Sequence, residues 1–226
     1  VLPIVCIVGH SGAGKTTLVE RLIGELRRRG IRVAALKHTR DDFDMDRSGK
    51  DTWRYSQAGC ESVAILGRER YAVLKHHRRD APLEEVLPIL GADADLVVVE
   101  GLHEGAAPKI EVHRAALERE LRCKAEELVA VVTDEPLEIG CRQFSPDQVG
   151  ALATFLEEEI MAPAAGGTAL AVNGKPVSLG SFTQRIIAST LLGMVSALKG
   201  IGRIRTISVS IRTQGGVPDN REGDGS

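Results

Sequence analysis

The chain opens on an apolar run, Ile4 to Val8, that leads directly into GHSGAGKT, Gly9 to Thr16, and then into an amphipathic stretch, Lys15 to Arg29, stopped by Gly30. The octapeptide matches G-x-x-x-x-G-K-[ST] with a strand before it and a helix after it, the context in which that spacing carries chemical meaning. Glycines let the backbone turn its amides inward on phosphate oxygens, and the helix N-terminus adds donors and positive field. Gly9, Gly12, Ala13, Gly14, Lys15, Thr16 and Thr17 are therefore expected to bind phosphates. Lys15 would reach the β- and γ-phosphates, and the Thr16 hydroxyl would face Mg²⁺.

Up to about residue 160, short β-branched runs alternate with amphipathic stretches, which predicts an α/β fold of the P-loop NTPase type: a mostly parallel sheet flanked by helices. Strands are expected at Ile4 to Val8, Ile31 to Leu36, Ser62 to Leu66, Tyr71 to Lys75, Leu96 to Glu100, Lys109 to His113 and Leu128 to Val132. Helices are expected at Lys15 to Arg29, Thr52 to Ala58, Leu83 to Leu90, Ala115 to Glu127 and Pro146 to Ile160, the last with Ser145 as N-cap and Gln148 completing a capping box. Residues 161–168, including APAAGGT, read as a linker. Residues 169–212 read as a small basic α+β unit with three parts. These are a hairpin around Asn173-Gly174, a helix from Phe182 to Leu198 with Phe182 in its apolar face, and a strand from Ile207 to Arg212. Residues 213–226 read as a disordered tail.

Charge separates these parts. From 166 to 212 there are six basic residues and no acidic one, although the whole chain carries a formal charge of −2. A surface of that sign suits an acidic protein face or a phosphorylated ligand. Nucleic acid fits less well, because Phe182 is the only aromatic residue in the unit and single-strand binders need stacking platforms. The four cysteines, Cys6, Cys60, Cys123 and Cys141, are widely spaced, and Cys6 and Cys123 read as core or near-core residues. With no basic leader and no long apolar run, this favours a cytoplasmic protein without a membrane span.

Three further features bear on a site. LVVVEG places Glu100 at the end of a strand, where a carboxylate either orients a metal near the P-loop or is simply solvated. The charged stretch Lys37 to Thr52 comes after strand two and is either a solvated loop or a phosphate- or metal-sensing switch. VVTDEP ends a late strand with Asp134, which either accepts from a guanine base, whose two N–H groups suit one carboxylate, or serves the turn before Pro136. No residue is assigned to chemical catalysis.

Taken together, these segments resemble the molybdopterin-guanine dinucleotide biosynthesis protein B family. The shared pattern comprises Gly9 to Thr16, Lys37-His38-Thr39 with the Asp-rich stretch to Gly49-Lys50-Asp51, Ala58-Gly59, Val99-Glu100-Gly101 with Lys109, and Thr133-Asp134 with Pro136. The resemblance covers residues 1–160 and implies GTP binding with Mg²⁺, weak hydrolysis, and assistance to the guanylyltransferase that joins GMP to molybdopterin. It implies that Gly9 to Thr17 hold phosphates, with Thr16 and Glu100 at the metal and Asp134 by the base. It further implies that Asp42 to Asp46 face the nucleotide or partner, that Lys109 belongs to a functional surface, and that the protein is a homodimer, with molybdopterin as a further ligand. Residues 169–212 extend beyond the family's minimal form. Two other functions suit the same motifs: a P-loop small-molecule kinase, with Arg68 and Arg70 or Arg114, Arg119 and Arg122 supplying its arginines, and a scaffold stabilised by nucleotide.

Overall fold

The computed structural model describes residues 2–41, 43–77, 83–91, 93–117 and 120–162, and beyond these 168, 170–172, 175–177, 179–202, 204, 207, 209 and 211. It divides into two compact units, Val1–Ser178 and Leu179–Ser226.

The first unit is built on a six-stranded sheet of β1 (Ile4–Val8), β2 (Val33–Lys37), β5 (Leu96–Glu100), β6 (Lys109–Val112), β7 (Leu128–Val132) and β8 (Arg142–Phe144), in the order β2-β5-β1-β6-β7-β8. Every neighbouring pair in it is parallel. β5 is buried along its whole length and β1 from Val5 onward, as continuous Val/Ile/Leu runs require when both faces of a parallel sheet are covered. On one face α1 (Lys15–Arg28) lies beside α4 (Val149–Phe155), and Leu22, Leu26, Ile110, Leu152 and Leu156 meet in the main core. Burying each such side chain contributes roughly 1.5–3 kcal/mol. Arg29 joins the two helices, donating to Thr154 Oγ1 at 2.9 Å, to Glu157 Oε1 at 2.7 Å and to the Gly150 carbonyl at 2.7 Å. On the other face a smaller cluster of Cys6, Val8, Val97 and Val99 is covered by Leu87 of α3 (Leu83–Gly91) and by Leu102, Ala107 and Cys123 from loops.

Several expectations are corrected. β3 (Ser62–Leu66) and β4 (Tyr71–Lys75) have the predicted bounds but form a separate antiparallel pair, preceded by α2 (Asp51–Gln57). β8 is an addition to the expected strands, because RQF is short and two-thirds polar; the Phe144 ring anchors it against Phe155, with centroids 5.6 Å apart. No α-helix forms from Ala115 to Glu127, where only Ala125–Glu127 winds as one 3₁₀ turn among the described residues. The reason is the fully buried Glu111, whose carboxylate accepts the amide protons of Arg122 at 2.6 Å and Cys123 at 2.9 Å. Those amides are thereby withdrawn from i to i−4 pairing. α4 begins at Val149, not Pro146, although Gln148 Oε1 does accept from the Ser145 amide at 2.9 Å, and beyond Phe155 it continues as a π-helix, Leu156–Met161.

β9 (Leu170–Val172) and β10 (Lys175–Val177) form the expected hairpin and group with the first unit. The second unit contains α5 (Ser181–Ser196), none of whose residues is buried; Phe182 is 67% exposed, so it is not a core residue. Residues 207, 209 and 211 are not in a strand. Asn173-Gly174, most of the expected linker and the 213–226 segment lie outside the described residues. No described helix is long and apolar enough to cross a bilayer.

Candidate functional site

Gly9 to Thr16 lies between β1 and α1, with positive φ at Gly9, Gly12 and Gly14. Gly9 is obligatory on two counts: its φ is +134°, and a Cβ there would stand 2.3 Å from the Val112 carbonyl oxygen. The loop is thus pressed against the end of β6. Lys15 curls back across it, donating from Nζ to the carbonyls of Gly9 at 2.9 Å and His10 at 2.6 Å. Partial burial holds the Lys15 ammonium below the ordinary lysine range; Lys37 and Arg122 push the same way and Glu100 opposes them. Thr16 and Thr17 are exposed in the first turn of α1, and Ala13 is buried.

One flank of the loop is assembled by strand register. β5 pairs with β1 on one side and β2 on the other, with Glu100 level with Ile7 and with Lys37. The Thr16 hydroxyl donates to the Glu100 carboxylate, at 3.0 Å to Oε1 and 3.2 Å to Oε2, and the Lys37 ammonium forms an ion pair with the same group. Glu100 is 7% exposed, so it is no solvated strand-end residue. The structure therefore brings Lys15, Thr16 and Glu100 together and adds Lys37, which the sequence pattern places only in the charged loop.

The opposite flank is assembled from the residues just past the ends of β6 and β7. Arg114 donates from Nε to the Ala13 carbonyl at 3.3 Å and from Nη1 to Asp134 Oδ2 at 3.4 Å, while the Ala115 amide donates to Asp134 Oδ1 at 3.2 Å. The Ala115 amide, followed by the Arg114 guanidinium, holds the Asp134 carboxyl below its usual range. From the sequence, Arg114 stands out only as a possible kinase arginine. Its signal is positional, since it comes directly after the alternating KIEVH.

Beneath this flank the alternation conceals a buried polar face. Lys109, expected on a surface, is 2% exposed; its Nζ donates to the Gly105 carbonyl at 2.8 Å and stands 3.7 Å from Glu127 Oε1. The Thr133 hydroxyl gives its proton to the Glu135 carbonyl at 2.9 Å, so the contact at 3.3 Å from His113 Nδ1 requires the ring proton on that nitrogen. His113 Nε2 is buried without a partner among the described residues. Burial raises the Cys6 thiol to about 11, and burial beside Glu111 does the same for Cys123. The acidic stretch after β2 closes partly on itself, with Asp46 accepting from Thr52 Oγ1 at 3.0 Å; Asp42 and Arg119 lie outside the described residues.

Comparison with known proteins identifies the family. A curated relative from Haemophilus influenzae, named molybdopterin-guanine dinucleotide biosynthesis adapter protein, is 36% identical over 157 residues, which is 69% of this chain and 88% of that one. One from Methanocaldococcus jannaschii, named a putative adapter protein of the same kind, is 27% identical over 236 residues and covers 92% of this chain and 97% of its own. The crystal structure titled molybdopterin-guanine biosynthesis protein B (MobB) is similar at 30% identity and a TM-score of 0.51, covering 68% of this chain and 96% of that chain. The family model for molybdopterin guanine dinucleotide synthesis protein B matches residues 4–134, which include the P-loop, Glu100 and Asp134. With more than half its length under that model and a mostly parallel P-loop NTPase-like sheet, the chain belongs to the MobB family.

Proposed function

We propose that this chain is an adapter in the synthesis of the guanine dinucleotide form of the molybdenum cofactor, binding GTP with Mg²⁺ and serving a guanylyltransferase. The observation that carries the reading is the Thr16 hydroxyl set against the Glu100 carboxylate beside the Gly9–Thr16 loop. A hydroxyl and a buried carboxylate form a hard-oxygen set of the kind Mg²⁺ takes in phosphate sites. Thr16 would bind the ion and Glu100 would hold its outer shell; bound Mg²⁺ would neutralise charge on the β- and γ-phosphates. Asp134 would accept from the guanine.

Hydrolysis is expected to be weak. Glu100 is engaged by Thr16 and Lys37, and Asp134 is assigned to the base, so neither carboxylate is placed to take a proton from an attacking water. A homodimer is part of the reading, supported by the β3–β4 pair, which leaves Ile65, Leu66, Tyr71 and Val73 more than half exposed. The basic 166–212 region is assigned to an acidic face of the partner enzyme or to phosphorylated molybdopterin. Changing Arg185 and Lys199 to Glu should weaken that contact and leave GTP affinity unchanged.

The test is a calorimetric titration of GTP, ATP and xanthosine triphosphate with Mg²⁺, on the native chain and on Asp134→Asn. Native protein should favour GTP, and the variant should shift toward xanthosine triphosphate, whose 2-carbonyl accepts from the new amide. Equal affinity of the native chain for GTP and ATP would refute the base assignment.

A further inference from the structure

We propose that Arg114 is the positioning residue that couples base selection to the phosphate loop, holding Asp134 at a fixed distance from the loop so that guanine and triphosphate are read together. The inference rests on the assignment of Asp134 to the base and goes beyond it by naming what makes that carboxylate selective.

β6 and β7 run parallel with Val112 level with Val132, so the residues past their ends leave the sheet side by side. The first level beyond the strands is buried and doubly tied, by the His113 amide on the Val132 carbonyl at 2.9 Å and by the imidazole on the Thr133 hydroxyl at 3.3 Å. Standing on it, the second level is Arg114 with Asp134, whose side chains are 33% and 39% exposed. The pair therefore rests on a rigid base yet remains open to a ligand.

Arg114 also faces the loop. Besides its bond to the Ala13 carbonyl, its Nη2 lies 3.7 Å from where a Cβ on Gly14 would be, and Leu117 Cδ1 lies 3.7 Å from the corresponding point on Gly12. The turn closed by the Leu117 amide on the Arg114 carbonyl, at 2.9 Å, thus runs along the glycines of the P-loop. A planar guanidinium can bridge a carbonyl and a carboxylate in fixed geometry, which an ammonium on a flexible stem cannot.

The chemistry then selects the base. An ionised carboxylate offers about four lone-pair sites. The Arg114 and Ala115 donors take one site on each oxygen of Asp134 and its own amide also donates to the carboxylate, so part of that capacity stays open to a base. Guanine presents N1–H and N2–H on one edge and satisfies both; adenine presents an acceptor at N1 and leaves the carboxylate unpaired. Without Arg114, only backbone amides would hold the carboxylate, and its registration with the loop would be lost.

The experiment measures Mg²⁺-nucleotide affinities for GTP, ATP and inosine triphosphate, which lacks the 2-amino group, on the native chain and on Arg114→Met, Arg114→Lys and Asp134→Asn. Arg114→Met is expected to lower the GTP-to-ATP and GTP-to-inosine-triphosphate affinity ratios by about tenfold or more. Arg114→Lys should recover overall affinity without the ratios. Ratios unchanged in Arg114→Met, an equal loss for all three nucleotides, or full recovery of the ratios by lysine would each overturn the coupling role. A native chain that does not prefer GTP would instead refute the Asp134 assignment beneath it. Thermal melting of each variant verifies folding, and Arg114→Gln replaces the methionine variant if that one melts early.

Discussion

The two flanks of the P-loop are built by different means. On the Glu100 side, parallel strands in register put a carboxylate beside an ammonium, the first turn of α1 adds a hydroxyl, and the carboxylate is almost wholly buried. On the Asp134 side, the groups come from residues just past two strand ends, remain more than a third exposed in the case of Asp134, and meet at 3.2 to 3.4 Å. A buried carboxylate fixed by sheet register is held in place, so that flank suits the invariant part of a nucleotide, its phosphates and cation. Charges carried on turns are free to be specialised, and that flank suits the part that differs between nucleotides.

The largest expected effect falls on the element common to both flanks. Lys15→Ala should remove measurable triphosphate binding, a loss of about 4 kcal/mol, with GTP and ATP affected alike; calorimetry would show it. Next is Gly9→Ala, which should destabilise the first unit by about 3 kcal/mol or more in a denaturant titration, because the added carbon would collide with Val112 and strain a positive φ. Glu100→Gln should then lower GTP affinity about tenfold with Mg²⁺ present and hardly at all in chelator, a difference visible in paired titrations.

Thiol labelling gives the smallest and most local effect. Both Cys6 and Cys123 have thiols raised to about 11, so at pH 8 only about a thousandth of either is thiolate, and labelling of both should accelerate with pH up to that value. Cys60 is exposed and should label first. Cys123, in the loop held by Glu111, should label before Cys6 within β1, and mass spectrometry after brief alkylation would order them. The reverse order would mean that the loop held by Glu111 opens less readily than β1.

Legibility in the sequence divides along the same line. The P-loop, its strand and helix, and Glu100 are readable because each depends on local pattern: an apolar run, a glycine spacing, a carboxylate ending VVV. Arg114 is not readable as part of the site, because its role depends on β6 lying between β1 and β7, which no local pattern states. The expected helix from Ala115 fails for a related reason: apolar periodicity is present, but the buried Glu111 claims its amides from eleven and twelve residues away. Lys109 misleads because its place on a surface is implied by the resemblance alone, whereas every residue of its strand is buried here. β3 and β4 have the expected bounds, yet their pairing into a separate sheet cannot be inferred from alternation alone.

The division of labour between the flanks is tested most directly by one crossed titration: GTP and ATP, each with Mg²⁺ and with chelator, on Glu100→Gln and Asp134→Asn. Glu100→Gln should abolish the benefit of Mg²⁺ while keeping the preference for GTP, and Asp134→Asn should abolish the preference while keeping the benefit of Mg²⁺. A single substitution that removes both properties, or two substitutions that remove neither, would contradict the account.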